Sequence, residues 1–157
     1  MKKELLKGFT MLMLIVVLAF ASAVAAKAQS SDRIVADIPF EFSVGDESMP
    51  SGQYAVKTAN SQGNVLMIQS NDAKSSAMRF TNPIEENKNN THSRLVFHRY
   101  GERYFLAEVW SGSDNTGRRL LKSRQERAIE RELASTRSKS QPAQSSYETI
   151  EVLAALR

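Results

Sequence analysis

The stretch from Arg94 to Trp110, RLVFHRYGERYFLAEVW, limits the possible folds more than any other part of the chain. It holds Phe97, Tyr100, Tyr104, Phe105 and Trp110, with a single glycine, Gly101, near its middle. Aromatic and β-branched side chains suit a pleated surface, and a central glycine supplies a turn. The spacing predicts two strands folded back at Gly101. A loop of Tyr100 and Gly101 sets Arg99 opposite Glu102, His98 opposite Arg103, Phe97 opposite Tyr104, Val96 opposite Phe105 and Leu95 opposite Leu106. This register pairs apolar with apolar and cation with anion. A slip of one place sets Leu95 against Glu108 and His98 against Phe105, so the first register is preferred. Tyrosine is a poor residue for φ > 0, which leaves a wider loop with a bulge at Gly101 as the alternative. Both faces of the pair carry large apolar groups, so both should be covered, as in the middle of a sandwich or barrel.

The flanking segments follow the same period. Ile34, Ala36, Ile38, Phe40, Phe42 and Val44 alternate with mostly polar residues, and Pro39 marks either an edge strand or two shorter strands meeting there. Met49-Pro50-Ser51-Gly52 suits a type I turn. Tyr54, Val56 and Thr58 line the next strand, Val65 to Gln69 form a short one, and Ser76, Met78 and Phe80 line one face of another. Turns fall at Asn60 to Asn64 and Ser70 to Lys74. Asn82-Pro83 breaks the pattern, and Glu85 to Ser93 reads as a loop. Ser111 to Gly117 is a second loop, with Leu120 and Leu121 extending a last short strand. This spacing predicts a mainly β fold, an antiparallel sandwich or small barrel of about 7–9 strands.

At Ser123 the period changes. Ser123-Arg124-Gln125-Glu126 is a capping box, and the good helix formers after it predict one helix over about 124–137, held on the outside of the β body by Ala128, Ile129 and Leu133. Residues 138–146 read as a flexible linker. In 147–157, Ile150, Val152, Ala154 and Leu156 alternate as in a returning strand, although Ile150, Leu153 and Ala154 would also suit a helix.

Residues 1–28 read as a secretory signal. Lys2, Lys3 and Lys7 precede the apolar run Met11 to Phe20, and Ala26-Lys27-Ala28 fits the small-x-small cleavage rule, with Ala23-Val24-Ala25 a second site. The run is short for a permanent span, which needs about 20 apolar residues. The domain then occupies 29–137, in a protein expected in the periplasm or outside the cell. With no cysteine in the chain it is neither a lipoprotein nor held by disulfides. Export also changes the charge balance: without Lys2, Lys3, Lys7, Lys27 and Glu4, 17 basic face 16 acidic residues. That balance gives no ground for nucleic-acid binding.

No metal, cofactor or nucleophile motif is assembled. His92 and His98 have no partner at metal-ligand spacing, and neither a G-x-S-x-G elbow nor a Gly-rich phosphate loop is present. Ser113-Asp114-Asn115 lacks the companion boxes of penicillin-binding enzymes, and Asn89-Asn90-Thr91 is only a formal glycosylation acceptor. His98, beside Arg99 and near Arg103, could serve as a neutral acid–base group, or simply be a half-buried residue bonded to its neighbours. Tyr104 and Trp110 could form an exposed aromatic platform or belong to the core. Arg118 to Lys139 carries a local excess of five positive charges. Arg124, Arg127 and Arg131 could meet an anionic membrane surface, or form a solvated helix with pairs such as Arg127 and Glu130.

Four segments, PFEFSVG (39–45), MPSGQYAV (49–56), LVFHRYG (95–101) and KSRQER (122–127), together resemble a family of small exported bacterial proteins without an assigned activity. The likeness runs from about Ile34 to Leu133 and leaves the tail after Ser138 outside. It implies export and a shared β fold, and transfers no site residue. The expectation is an exported, non-enzymatic envelope or secreted protein that binds an envelope partner. No catalytic, cofactor or metal residue is assigned, and the candidate surface is His98, Arg103, Tyr104, Trp110, Arg124, Arg127 and Arg131. The alternatives are a carrier holding an apolar ligand in the barrel and, third, a hydrolase using His98.

Overall fold

A computed structural model describes residues 33–86, 92–113, 115–136 and 146–157. The expected export signal, the Asn89 to Thr91 acceptor, Asp114 and most of the 138–146 linker lie outside the described residues. The strands are β1 (Ile34–Ile38), β2 (Phe42–Val44), β3 (Glu47–Met49), β4 (Gly52–Thr58), β5 (Val65–Ser70), β6 (Ser76–Glu85), β7 (Arg94–Tyr100), β8 (Arg103–Trp110), β9 (Thr116–Leu120) and β10 (Glu148–Leu156). One helix, α1 (Arg124–Thr136), lies between β9 and β10.

Eight of the strands close into an antiparallel barrel, in the order β1, β4, β5, β6, β9, β8, β7, β10 and back to β1. Closure removes the free edges that an open sheet would expose. The last strand, β10, is a full stave between β7 and β1, which decides the strand-or-helix question for the tail.

Strand alternation fills the interior. Ile34, Ala36, Ile38, Tyr54, Val56, Leu66, Ile68, Leu95, Phe97, Leu106 and Val109 form one cluster with Phe42, Val44 and Met49. The last three come from the short β2–β3 hairpin, and the break at Pro39 is what turns them into the barrel. Phe42 meets Tyr54 and Phe97 edge to face, with centroids at 5.0 and 5.4 Å. Glu47 reaches Arg79 of β6 at 3.3 Å. The hairpin thus touches strands around the ring and plugs one end of it.

The β7–β8 register differs from the expected one. Gly101 and Glu102 form the loop, with φ of 62° at Gly101, and the pairs are Tyr100 with Arg103, His98 with Phe105 and Phe97 with Leu106. Glycine first in a two-residue hairpin loop avoids the φ > 0 that Tyr100 would otherwise have to adopt. The objection to this register was Leu95 facing Glu108. A bulge between Val96 and Phe97 removes it, and Leu95 faces Val109 instead.

One further expectation changes. Asn82-Pro83 does not end its strand: β6 runs through to Glu85, paired there with β9 only. Beyond Thr81 its other edge is open, so a residue without an N–H is tolerated. Met78 and Phe80 share a face as expected; it is the outer one, where they are 56% and 69% exposed. Ala77 and Thr81 point inward instead.

Gly117 is required by space. It faces Trp110 across the β8–β9 ladder, and a Cβ there would lie 2.6 Å from the indole ring. Gly117→Ala is expected to cost about 1–3 kcal/mol through overpacking. The check is a lower urea midpoint together with a shift in Trp110 fluorescence.

Candidate functional site

The outer face of the β7–β8 hairpin presents Val96, His98, Tyr100 and Phe105, set there by alternation against the inward Leu95, Phe97 and Leu106. Helix α1 begins where the backbone N–H of Glu126 donates to Ser123 Oγ at 3.0 Å, half of the expected capping box. This start puts Glu126 and Glu130, one turn apart, on the stripe that meets the hairpin.

Glu126, 4% exposed, places Oε1 2.8 Å from His98 Nδ1. The Tyr100 hydroxyl donates to Glu130 Oε1 at 2.7 Å and lies 3.3 Å from Glu126 Oε1. Lys122 bonds to Glu130. Tyr147, just before β10, stacks on His98 with centroids 3.9 Å apart. Two carboxylates, a phenol, an imidazole and an ammonium therefore clamp the helix and the tail onto the hairpin.

The expected apolar anchoring of the helix is corrected here. Ile129 and Leu133 are half-buried, but Ala128 is exposed, and Glu126 is the one buried residue of the helix. The stripe was thin because its anchors are polar.

Burial pushes the Glu130 carboxyl up, but hydrogen bonds from Lys122 and Tyr100 outweigh it and leave the group below the usual carboxylate range. Burial, and then the two glutamates, push the Tyr100 phenol far above its ordinary range. A carboxyl held low contributes stability that is full above its unfolded value, about 4.3, and is lost as pH falls through the lower folded value. A phenol held high contributes stability that is full below about 10 and is lost above that. Docking of α1 is thus expected to hold from mildly acidic to neutral pH and to fail first at strongly acidic pH. Limited proteolysis within 124–136 against pH is the readout. Glu130→Gln should flatten the acid limb.

The candidate residues fall in three places. His98 belongs to the clamp, and its close contact is a carboxylate rather than the cations that flank it in sequence. Arg103 is exposed over the Phe105 ring at 5.8 Å, and Arg99 turns to Glu102 and Glu148. Tyr104 and Trp110 form no joint platform. Tyr104 stacks on Phe40 at 4.0 Å against the interior cluster, whereas Trp110 is buried on the other face, bonded through Nε1 to Glu108 at 3.0 Å and covered by the Arg94 guanidinium. Arg124, Arg127 and Arg131 are exposed along α1. The expected pairing of Arg127 with Glu130 gives way, because Glu130 serves Lys122 and Tyr100.

Sequence reasoning missed Tyr100, Lys122, Glu130 and Tyr147 as site residues. The available signal was the i, i+4 spacing of Glu126 and Glu130 on a helix otherwise poor in apolar residues. Among the described residues, no group of three or more His, Asp or Glu side chains could hold a metal ion. Comparison of the chain with models of known protein families, with curated proteins and with solved structures finds no match in any of the three.

Proposed function

We propose that the chain is an exported, non-catalytic binding protein of the cell envelope that engages an anionic surface through the outer face of α1. The observation that carries this reading is how the helix divides its charges. Glu126 and Glu130 are spent on His98, Tyr100 and Lys122, while Arg124, Arg127 and Arg131 face solvent. Of the helix's three glutamates only Glu132 is exposed, beside three exposed arginines, and such a basic face favours anionic head groups, at about 1 kcal/mol per cation near the surface. The barrel interior is filled by side chains such as Phe42, Tyr54 and Phe97, which speaks against a carrier with its ligand at the barrel centre.

The test is cosedimentation with vesicles containing anionic phospholipid. Arg127→Gln with Arg131→Gln should weaken binding roughly thirtyfold, the equivalent of about 2 kcal/mol, and added salt should weaken the parent chain in parallel. Equal binding by parent and variant would remove the helix from this role. Substitution is the right instrument, because truncation after Lys122 would also delete β10.

A further inference from the structure

The barrel end opposite the β2–β3 plug is open. There Ile34, Val56, Leu66 and Val109 floor a cavity of about 170 Å³, with Thr58 and Arg118 among the residues around it. Arg118 is the unusual member. On β9 it shares the face of Leu120, which belongs to the interior cluster, and it pairs with Val109, which also points inward. Its guanidinium spans the opening toward the β4–β5 turn, where Nη2 lies 2.7 Å from the position of a Cβ on Gly63. Gly63 has φ of 71°, so the turn favours glycine there and leaves room for the guanidinium.

Arg118 is half-buried and makes no hydrogen bond or ion pair among the described residues. Its neighbour Arg119, on the outer face, is held by Glu108 through two bonds of 2.8 and 3.0 Å. No carboxylate is among the described residues that line the cavity. Lys57 also borders it, but alternation along β4 turns that side chain outward to solvent. A cation drawn partly out of water without a partner is costly, and a carboxylate would supply two charge-assisted bonds to the guanidinium fork.

We propose that this mouth binds a small organic anion, its carboxylate on Arg118 and a short apolar tail on the floor. The cavity is small and opens to solvent at the mouth, which suits a short apolar tail rather than a long acyl chain.

The test titrates the purified full chain, labelled with ¹⁵N, with hexanoate, hexanol, hexylammonium and inorganic phosphate. Hexanoate should shift the amides of Val56, Leu66, Val109 and Arg118 with a Kd on the order of 1 mM or tighter. The other three compounds should bind at least tenfold more weakly. Arg118→Met should lose at least tenfold in hexanoate affinity without a fall in Tm, since it removes an unpaired charge. Leu66→Phe, which fills the floor, should lose binding as well. Hexanol or phosphate binding as tightly as hexanoate, or unchanged affinity in Arg118→Met, would overturn the proposal. The ligand panel on the parent chain decides the matter even where a variant fails to fold.

Discussion

A chain ending at Ser146 is expected to show no cooperative thermal transition and to aggregate. The missing stave, β10, is hydrogen-bonded on both sides, from Glu148 with Arg99 through Leu153 with Arg94 on β7, and from Ala154 with Ala36 through Leu156 with Ile34 on β1. The ladder is extended by backbone bonds of 3.2 and 2.8 Å between Arg33 and Arg157. Without β10 the ring has two open edges, and the cluster loses the cover of Ile150, Val152 and Ala154. A domain of this size has only about 5–15 kcal/mol of net stability, less than the loss of a whole stave from the middle of the ring. Adding the 146–157 peptide in trans should restore a transition in proportion to its concentration. A truncated chain that melts like the parent would show that the barrel does not depend on its tail.

Phe97→Ala is expected to cost about 3–5 kcal/mol. Phe97 is 0% exposed, and Phe40 and Phe42 meet its ring edge to face at 5.3 and 5.4 Å, so truncation leaves a cavity walled by two rings. Both rings come from the chain leading into the plug, while Phe97 stands on β7 of the barrel, so plug and barrel cannot close the gap independently. The urea midpoint should fall while the slope stays constant. Phe80→Ala is the matched comparison, since that ring stands on the outer wall, and it should change stability by no more than about 0.5 kcal/mol. Similar losses in both variants would contradict the placement of the core.

Much of the architecture was legible because alternation is a local signal. Ile34 to Val44, Tyr54 to Thr58 and Val65 to Gln69 declare their faces residue by residue, and the central hairpin declared itself buried on both. What escaped depended on partners distant in sequence. Whether Met78 and Phe80 or Ala77 and Thr81 face inward is decided by pairing with β5, and the alternating sequence is compatible with either. The hairpin register turned on a bulge near Ala107, which no composition rule announces. Pro83 looked like a breaker because nothing local reveals that β6 has lost one neighbour there. The clamp was hidden for a similar reason: Glu126 and Glu130 look like solvated helix residues until His98, Tyr100 and Tyr147 are placed beneath them. Arg118 looked like one more cation in a basic run, yet it faces the barrel mouth while the next residue, Arg119, faces outward from the same strand.

Amide hydrogen exchange, read residue by residue, tests the closed ring most directly. The account predicts that the amides of Glu148 to Leu153 that face β7 exchange in the same slow class as β7, opening only with global unfolding, while α1 beyond its clamped first two turns exchanges faster. Rapid exchange along β10 with β7 and β8 still protected would mean that the ring is open at that stave. The barrel, the seat of the helix clamp and the mouth would then all have to be rebuilt.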